Sequence, residues 1–268
     1  MTASRREIAG DLSLLTGVVT LLLGAHLLLP ATVQATLSFD ARTFAPVTLL
    51  TGAYLHVNDA HLVGNVVGFC SAGLVSYLVC LQLDERDWFH RTAVVCLFCL
   101  PVVVNLASYA AFSLRYPGLP LTTRGFSGVV AGFAGFLLVA TLALIHSRHS
   151  RGTTLYAGYL IVLTLLGAVL ITYTGVPSLA STGLFALGAG VSTLGLYGEA
   201  RRQGVPTDHT ARVRLAVEVG TVLLLFSVLL SLVLGLFPAD LTAGGWLTNV
   251  VGHGAGFVAG VVAAVATR

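Results

Sequence analysis

Residues 123–135 read TRGFSGVVAGFAG, with Gly125, Gly128, Gly132 and Gly135 spaced through an apolar run and Ser127 held between the first two. Small residues let membrane helices approach closely, so packing accounts for the glycines. It does not account for a hydroxyl set in Gly-x-Ser-Gly at the mouth of a span. The serine is either a packing residue or a nucleophile, and the rest of the chain decides which.

The chain has 268 residues, 56% of them hydrophobic and 9% charged, and a mean hydropathy of +0.91. Soluble domains are about a quarter charged, so this composition is that of an all-α polytopic membrane protein. Runs of about twenty apolar residues cross a bilayer. They fall at 9–29, 60–82, 92–113, 127–146, 154–174, 180–198, 214–236 and 246–266, about eight spans, the sixth being short and rich in Gly, Ser and Thr. The first span follows a short charged stretch and lacks a small-residue cleavage pattern, so it reads as a retained span and not a signal peptide.

All fourteen basic residues are arginine. With the N-terminus cytoplasmic, the inner segments hold Arg5, Arg6, Arg86, Arg91, Arg148, Arg151, Arg201, Arg202, Arg212, Arg214 and Arg268, against Arg42, Arg115 and Arg124 outside. Eleven against three predicts both termini on the cytoplasmic side, and the expected location is the plasma membrane of a prokaryote. The net charge of +3 reads as small and scattered, which argues against nucleic acid as a partner. Cys70, Cys80, Cys96 and Cys99 all lie in apolar spans. The CLFC stretch at 96–99 has no neighbouring ligands, so the four read as buried small hydrophobes, with no metal and no cofactor expected. Residues 30–59 are too broken for a span and too apolar for open water, and should lie at the interface or fold back on the bundle. The polar stretch 199–213 reads as a flexible inner connection.

Polar groups inside a membrane are costly and mark function. His61 and Asn65 open the second span four residues apart, on one helical face. His253 stands in NVVGHGAGFVAG, seven residues after Trp246, which places it roughly 10 Å below the outer boundary. Spans two, four and eight all enter from outside in this topology, so His61, Asn65, Ser127 and His253 share one leaflet. A serine needs a base, and His253 is the candidate. The oxyanion formed on an attacked carbonyl needs donors, which His61, Asn65 and the Ser127 amide can supply. With Asp59 and Asp240 in outer loops, the expectation is a dyad. His26 has no motif around it and reads as structural; Glu218 reads as paired with Arg214 at i,i+4.

These residues resemble the rhomboid family of intramembrane serine proteases. The resemblance lies in His61-x-x-x-Asn65 in the second span, Gly125–Gly128 around Ser127 in the fourth, and His253-x-x-Gly256-x-x-x-Gly260 in the last. The family's further histidine is matched by His56. Each motif alone is expected by chance about 0.1–0.2 times in such a chain; the three together are not. The resemblance implies a rhomboid-like six-helix core carrying about two additional helices, in a single transmembrane domain over 1–268. The insert would be a helical hairpin at about 154–198, with 214–236 as the fifth core helix. It implies an endopeptidase with Ser127 as nucleophile, His253 as base and His61 with Asn65 as oxyanion donors. Gly125, Gly128, Gly256 and Gly260 would permit close approach. Its substrates would be single-span membrane proteins cut near the outer interface of the lipid bilayer. The chain departs from the pattern where many members have a tyrosine, here Ala131, and where a Trp-Arg pair is common in the first outer loop. A catalytically silent rhomboid-like binder of membrane clients and a small-solute transporter are the competing readings.

Overall fold

Polar caps start most of the long helices, because the first amides of a helix have no partner within it. The computed structural model describes residues 4–115, 122–175, 178–204, 208–242 and 247–268. α1 (Arg5–Leu28) opens on a capping box in which Ser4 and Glu7 exchange bonds. Its successors α2 (Ala31–Leu37), β1 (Phe39–Asp40), α3 (Thr48–Thr51) and a 3-10 turn at Gly52–Tyr54 make up the segment between the first two long helices. α4 (Asp59–Gln82) is capped by Asn58, which accepts from the His61 amide at 2.9 Å. α5 (Arg86–Phe98), α6 (Leu100–Arg115), β2 (Thr122–Thr123) and α7 (Ser127–Arg148) follow. α8 (Arg151–Thr174), α9 (Leu179–Gln203) and α10 (His209–Leu236) are capped by Ser150, Ser178 and Asp208. Last comes α11 (Val250–Thr267), capped by Asn249.

Seven of these helices are long and apolar enough to cross a membrane, and the pair α5–α6, bent by 42°, passes the same test only when taken together. The chain is an all-α, multi-pass membrane protein. The third span is not the straight helix expected over 92–113. Pro101 cannot donate to the Leu97 carbonyl, and the helix breaks at Cys99. The freed carbonyl accepts the Tyr54 hydroxyl at 2.6 Å, so the break is where the segment between α1 and α4 docks. The short sixth span is a full 25-residue helix, and the connection at 199–213 is mostly helical, with α9 running to Gln203 and α10 starting at His209. Cys80 and Cys96 are buried, but Cys70 and Cys99 stand on the outer surface of their helices, so only two of the four cysteines are core residues.

The chain divides into two units, Met1–Ala140 with Leu247–Arg268, and Thr141–Trp246. In the first, the opening turns of α7 form the centre: Phe126, Val129, Val130, Ala131, Phe133, Ala134, Phe136 and Leu137 are all buried. α11 is locked to α5 at its far end. There the Trp88 indole donates to the Ala264 carbonyl at 2.8 Å, and Arg268 grips both oxygens of Glu85. Buried Asp11 joins α1 to α4 and α5 by accepting from Tyr77, Arg86 and His90. The segment between α1 and α4 folds back as expected, burying Phe39, Leu49, Ala53 and Leu55. β1 pairs antiparallel with β2, Phe39 opposite Thr123. Asn105 of α6 ties the two sides together: its amide donates to the Leu49 carbonyl and its oxygen accepts the Thr123 hydroxyl, both at 2.7 Å.

In the second unit α8 and α9 form a closely packed pair, Gly167 against Phe185, Gly188 against Leu163 and Gly195 against Tyr156, with α10 against α8. Glu218 does not pair with Arg214 as expected. It lies 3.5 Å from His149, because both residues turn toward the junction of α7 and α8.

Candidate active site

The chain enters α7 through a turn that only glycine permits. Gly125 has φ +135°, and a β-carbon there would lie 2.8 Å from Nε2 of His61. Its amide donates to the Gly52 carbonyl at 3.1 Å, which continues the anchoring begun by β2. Phe126 is fully buried between Tyr54 and Phe69, ring centroids 5.3 and 5.5 Å away. Ser127 is therefore the first helical residue of a turn fixed on both sides. The amides of Ser127 and Gly128 stand ahead of the helix's own ladder, where the dipole favours negative charge.

α11 meets α7 backbone to backbone. A methyl on Gly256 would collide with the Gly128 carbonyl, one on Gly260 with the Gly132 carbonyl, and one on Gly135 with the Phe257 carbonyl. Ala131 belongs to the same seam: a β-carbon at Gly256 would stand 3.3 Å from its own, so an aromatic side chain at 131 has no room. The small side chain of Ala131 thus suits the close approach of the two helices. This approach brings His253 Nε2 to 2.7 Å from Ser127 Oγ, across 126 residues of sequence. His253 is buried, in the first turn of α11. Trp246, used above to gauge its depth, lies outside the described residues.

Asn249 sets the start of α11, and sequence reasoning passed over it. Its side-chain oxygen accepts from the Gly252 amide at 2.9 Å, and its amide donates to Ser108 Oγ of α6 at 2.7 Å. Its own carbonyl accepts from the His253 amide. A polar residue directly before an apolar run is a capping signal, so this one was legible.

His61 lies over the Gly125 turn, and Asn65 follows one helical turn along the same face of α4. That face meets α7, as Gly68 against Val130 and Phe69 against Phe133 show. Asn65 is buried, and its side-chain nitrogen has no hydrogen-bond partner among the described residues. A buried donor without an acceptor is destabilising, so this amide is open to an acceptor brought in from outside the fold.

His56 packs edge-on against His61, ring centroids 5.3 Å apart, and is 1% exposed. Burial first, then repulsion from His61 and His26, pushes its pKa down to about 3, so it is neutral over the working range. His26, read as structural, joins this group: it lies 6.4 Å from His56 and bonds Asp59 through Nε2 at 2.8 Å. Asp59, the first residue of α4, is the exposed partner in that pair. Chemically, the arrangement can activate a hydroxyl and receive an oxyanion.

No family model matches this sequence, and no curated protein or solved structure shows a significant match to it.

Proposed function

We propose that the protein is an intramembrane serine endopeptidase of rhomboid type, cutting membrane-anchored proteins near the outer interface. The observation that carries this is the 2.7 Å contact between Ser127 Oγ and His253 Nε2. His253 takes the serine proton as Oγ adds to the scissile carbonyl. The oxyanion is received by the Ser127 amide, Asn65 Nδ2 and His61. Collapse expels the amine with the proton from His253, and water then hydrolyses the acyl-enzyme by the same steps reversed in order.

A stable helix hides its carbonyls in its own hydrogen bonds. Good substrates therefore carry Gly, Pro or other helix-weakening residues near the outer end of their span. The glycine-lined approach at Gly125, Gly128 and Gly256 favours a small residue before the cleaved bond. The arginine distribution supports a topology with both termini cytoplasmic, and the hairpin 154–198 is the insert, with α10 as the fifth core helix.

The test is labelling of the purified chain with a fluorophosphonate, paired with cleavage-site mapping on a model single-span substrate. Wild type should label at Ser127 and cleave beside a small residue. Labelling that persists in Ser127→Ala, or a folded wild type that never labels, overturns the reading.

A further inference from the structure

The positive charge of this protein, which reads as scattered in the sequence, is gathered at one end of the second unit. Arg148 and Arg151 flank the turn between α7 and α8, Arg201 and Arg202 end α9, and Arg212 and Arg214 begin α10; all six are exposed. Three contacts bring these helix ends together: Ser150 Oγ to Glu199 at 2.7 Å, Gln203 to Thr153 at 3.2 Å, and His149 to Glu218 at 3.5 Å. The carboxylates here are Glu199, Asp208 and Glu218, so six arginines against three leave +3, the formal net charge of the whole chain. The eight remaining arginines are matched by eight remaining carboxylates.

In the first unit Arg86 pairs with Asp11 and Glu7, Arg268 with Glu85, Arg42 with Asp40, and Arg91 donates to the Thr267 carbonyl. In the second, Arg202 pairs with Glu199 and Arg201 lies over the Tyr197 ring, yet both stay exposed and the surplus of positive charge at this end remains.

We infer that this end of the second unit is a binding surface for the headgroups of anionic phospholipids. α8 has 24 residues, about 36 Å of helix, against a hydrocarbon core of about 30 Å, so its ends stand at headgroup depth. Beneath the arginines lie exposed apolar side chains, Leu155, Leu194, Tyr197 and Leu215, which suit acyl chains. A phosphate attached to acyl chains satisfies both features, whereas a soluble anion satisfies only the charge. Juxtamembrane basic residues draw anionic lipid by electrostatic attraction that salt screens.

The experiment is native mass spectrometry of the full chain in neutral detergent, offered phosphatidylglycerol and phosphatidylcholine in equal amounts. Wild type should retain about fivefold or more of the anionic lipid, falling toward parity in high salt. Arg151→Gln with Arg214→Gln should bring the ratio close to parity. Arg5→Gln with Arg6→Gln, the same loss of charge elsewhere, should leave it unchanged. Equal retention of both lipids by wild type overturns the inference, as does equal loss in the two double variants. Displacement by inorganic phosphate at constant ionic strength would mean a soluble-anion site and overturns it too. Should the Arg151/Arg214 variant not fold, wild-type retention that ignores salt is the refuting result. The readout involves no catalysis, so it stands or falls apart from the proposed protease activity.

Discussion

Gly260→Ala would separate the two helices that hold the candidate dyad. The added carbon would stand 2.6 Å from the Cα of Gly132, where carbon atoms pack at about 3.5–4.0 Å. Both contacting groups are backbone, so no side chain can rotate away, and α11 must withdraw by about 1 Å. Overpacking of this kind costs about 1–3 kcal/mol. Gly260 lies roughly 10 Å along α11 from His253, near enough for the withdrawal to reach it. The 2.7 Å bond to Ser127 would lengthen past hydrogen-bonding range, and a misplacement of about 1 Å is worth about 10²-fold in rate. Gly254 is the internal control, because a methyl there meets nothing within 4 Å. Gly254→Ala should label at the wild-type rate and gain about 0.5–1 kcal/mol from helix propensity. Fluorophosphonate labelling rates and thermal melting in detergent measure both effects. Wild-type labelling and melting by Gly260→Ala would refute the claim that the glycine seam sets the dyad.

Asn65→Ala should slow cleavage by about 10²–10³-fold with little change in melting, because the amide nitrogen it removes has no partner to orphan; unfolding would instead mark Asn65 as a packing residue. Asn105→Leu orphans the Leu49 carbonyl and the Thr123 hydroxyl, and should cost about 1–3 kcal/mol for each buried group by thermal unfolding. His56 has its pKa lowered from 6.5 to about 3, so the unfolded chain binds a proton there first. Its contribution to stability is complete above pH 6.5 and is lost as pH falls toward 3; His56→Phe should flatten the melting profile in that window, and an unchanged profile would show that another group titrates. Single cysteines at Ser150 and Gly204 should resist an impermeant thiol reagent applied from outside, and their labelling there would reverse the arginine-derived orientation.

The apolar runs, their number, and the polar residues that interrupt them are properties of sequence, because transfer into a bilayer is decided locally, residue by residue. That is why the spans, Ser127, His253, His61 and Asn65 could be named before any coordinates. The parity of crossings even put them in one leaflet. Contacts between distant segments are another matter. Pro101 announces a break, but not that Tyr54 will take the carbonyl it frees. Asn105 and Asn249 are single polar residues whose partners, Leu49, Thr123 and Ser108, come from other elements. Glu218 had an attractive partner one turn away in Arg214 and turned to His149 instead, since i,i+4 pairing is worth only about 0.2–0.5 kcal/mol and yields to packing. His26 shows no motif around it in sequence because its neighbours His56 and Asp59 lie some thirty positions along the chain. Charge shows the same division. The sequence determines that fourteen arginines face eleven carboxylates. Only the tertiary structure decided which carboxylates each arginine meets and where the surplus of positive charge gathers, because a charge is neutralised by what folding brings within a few ångströms of it.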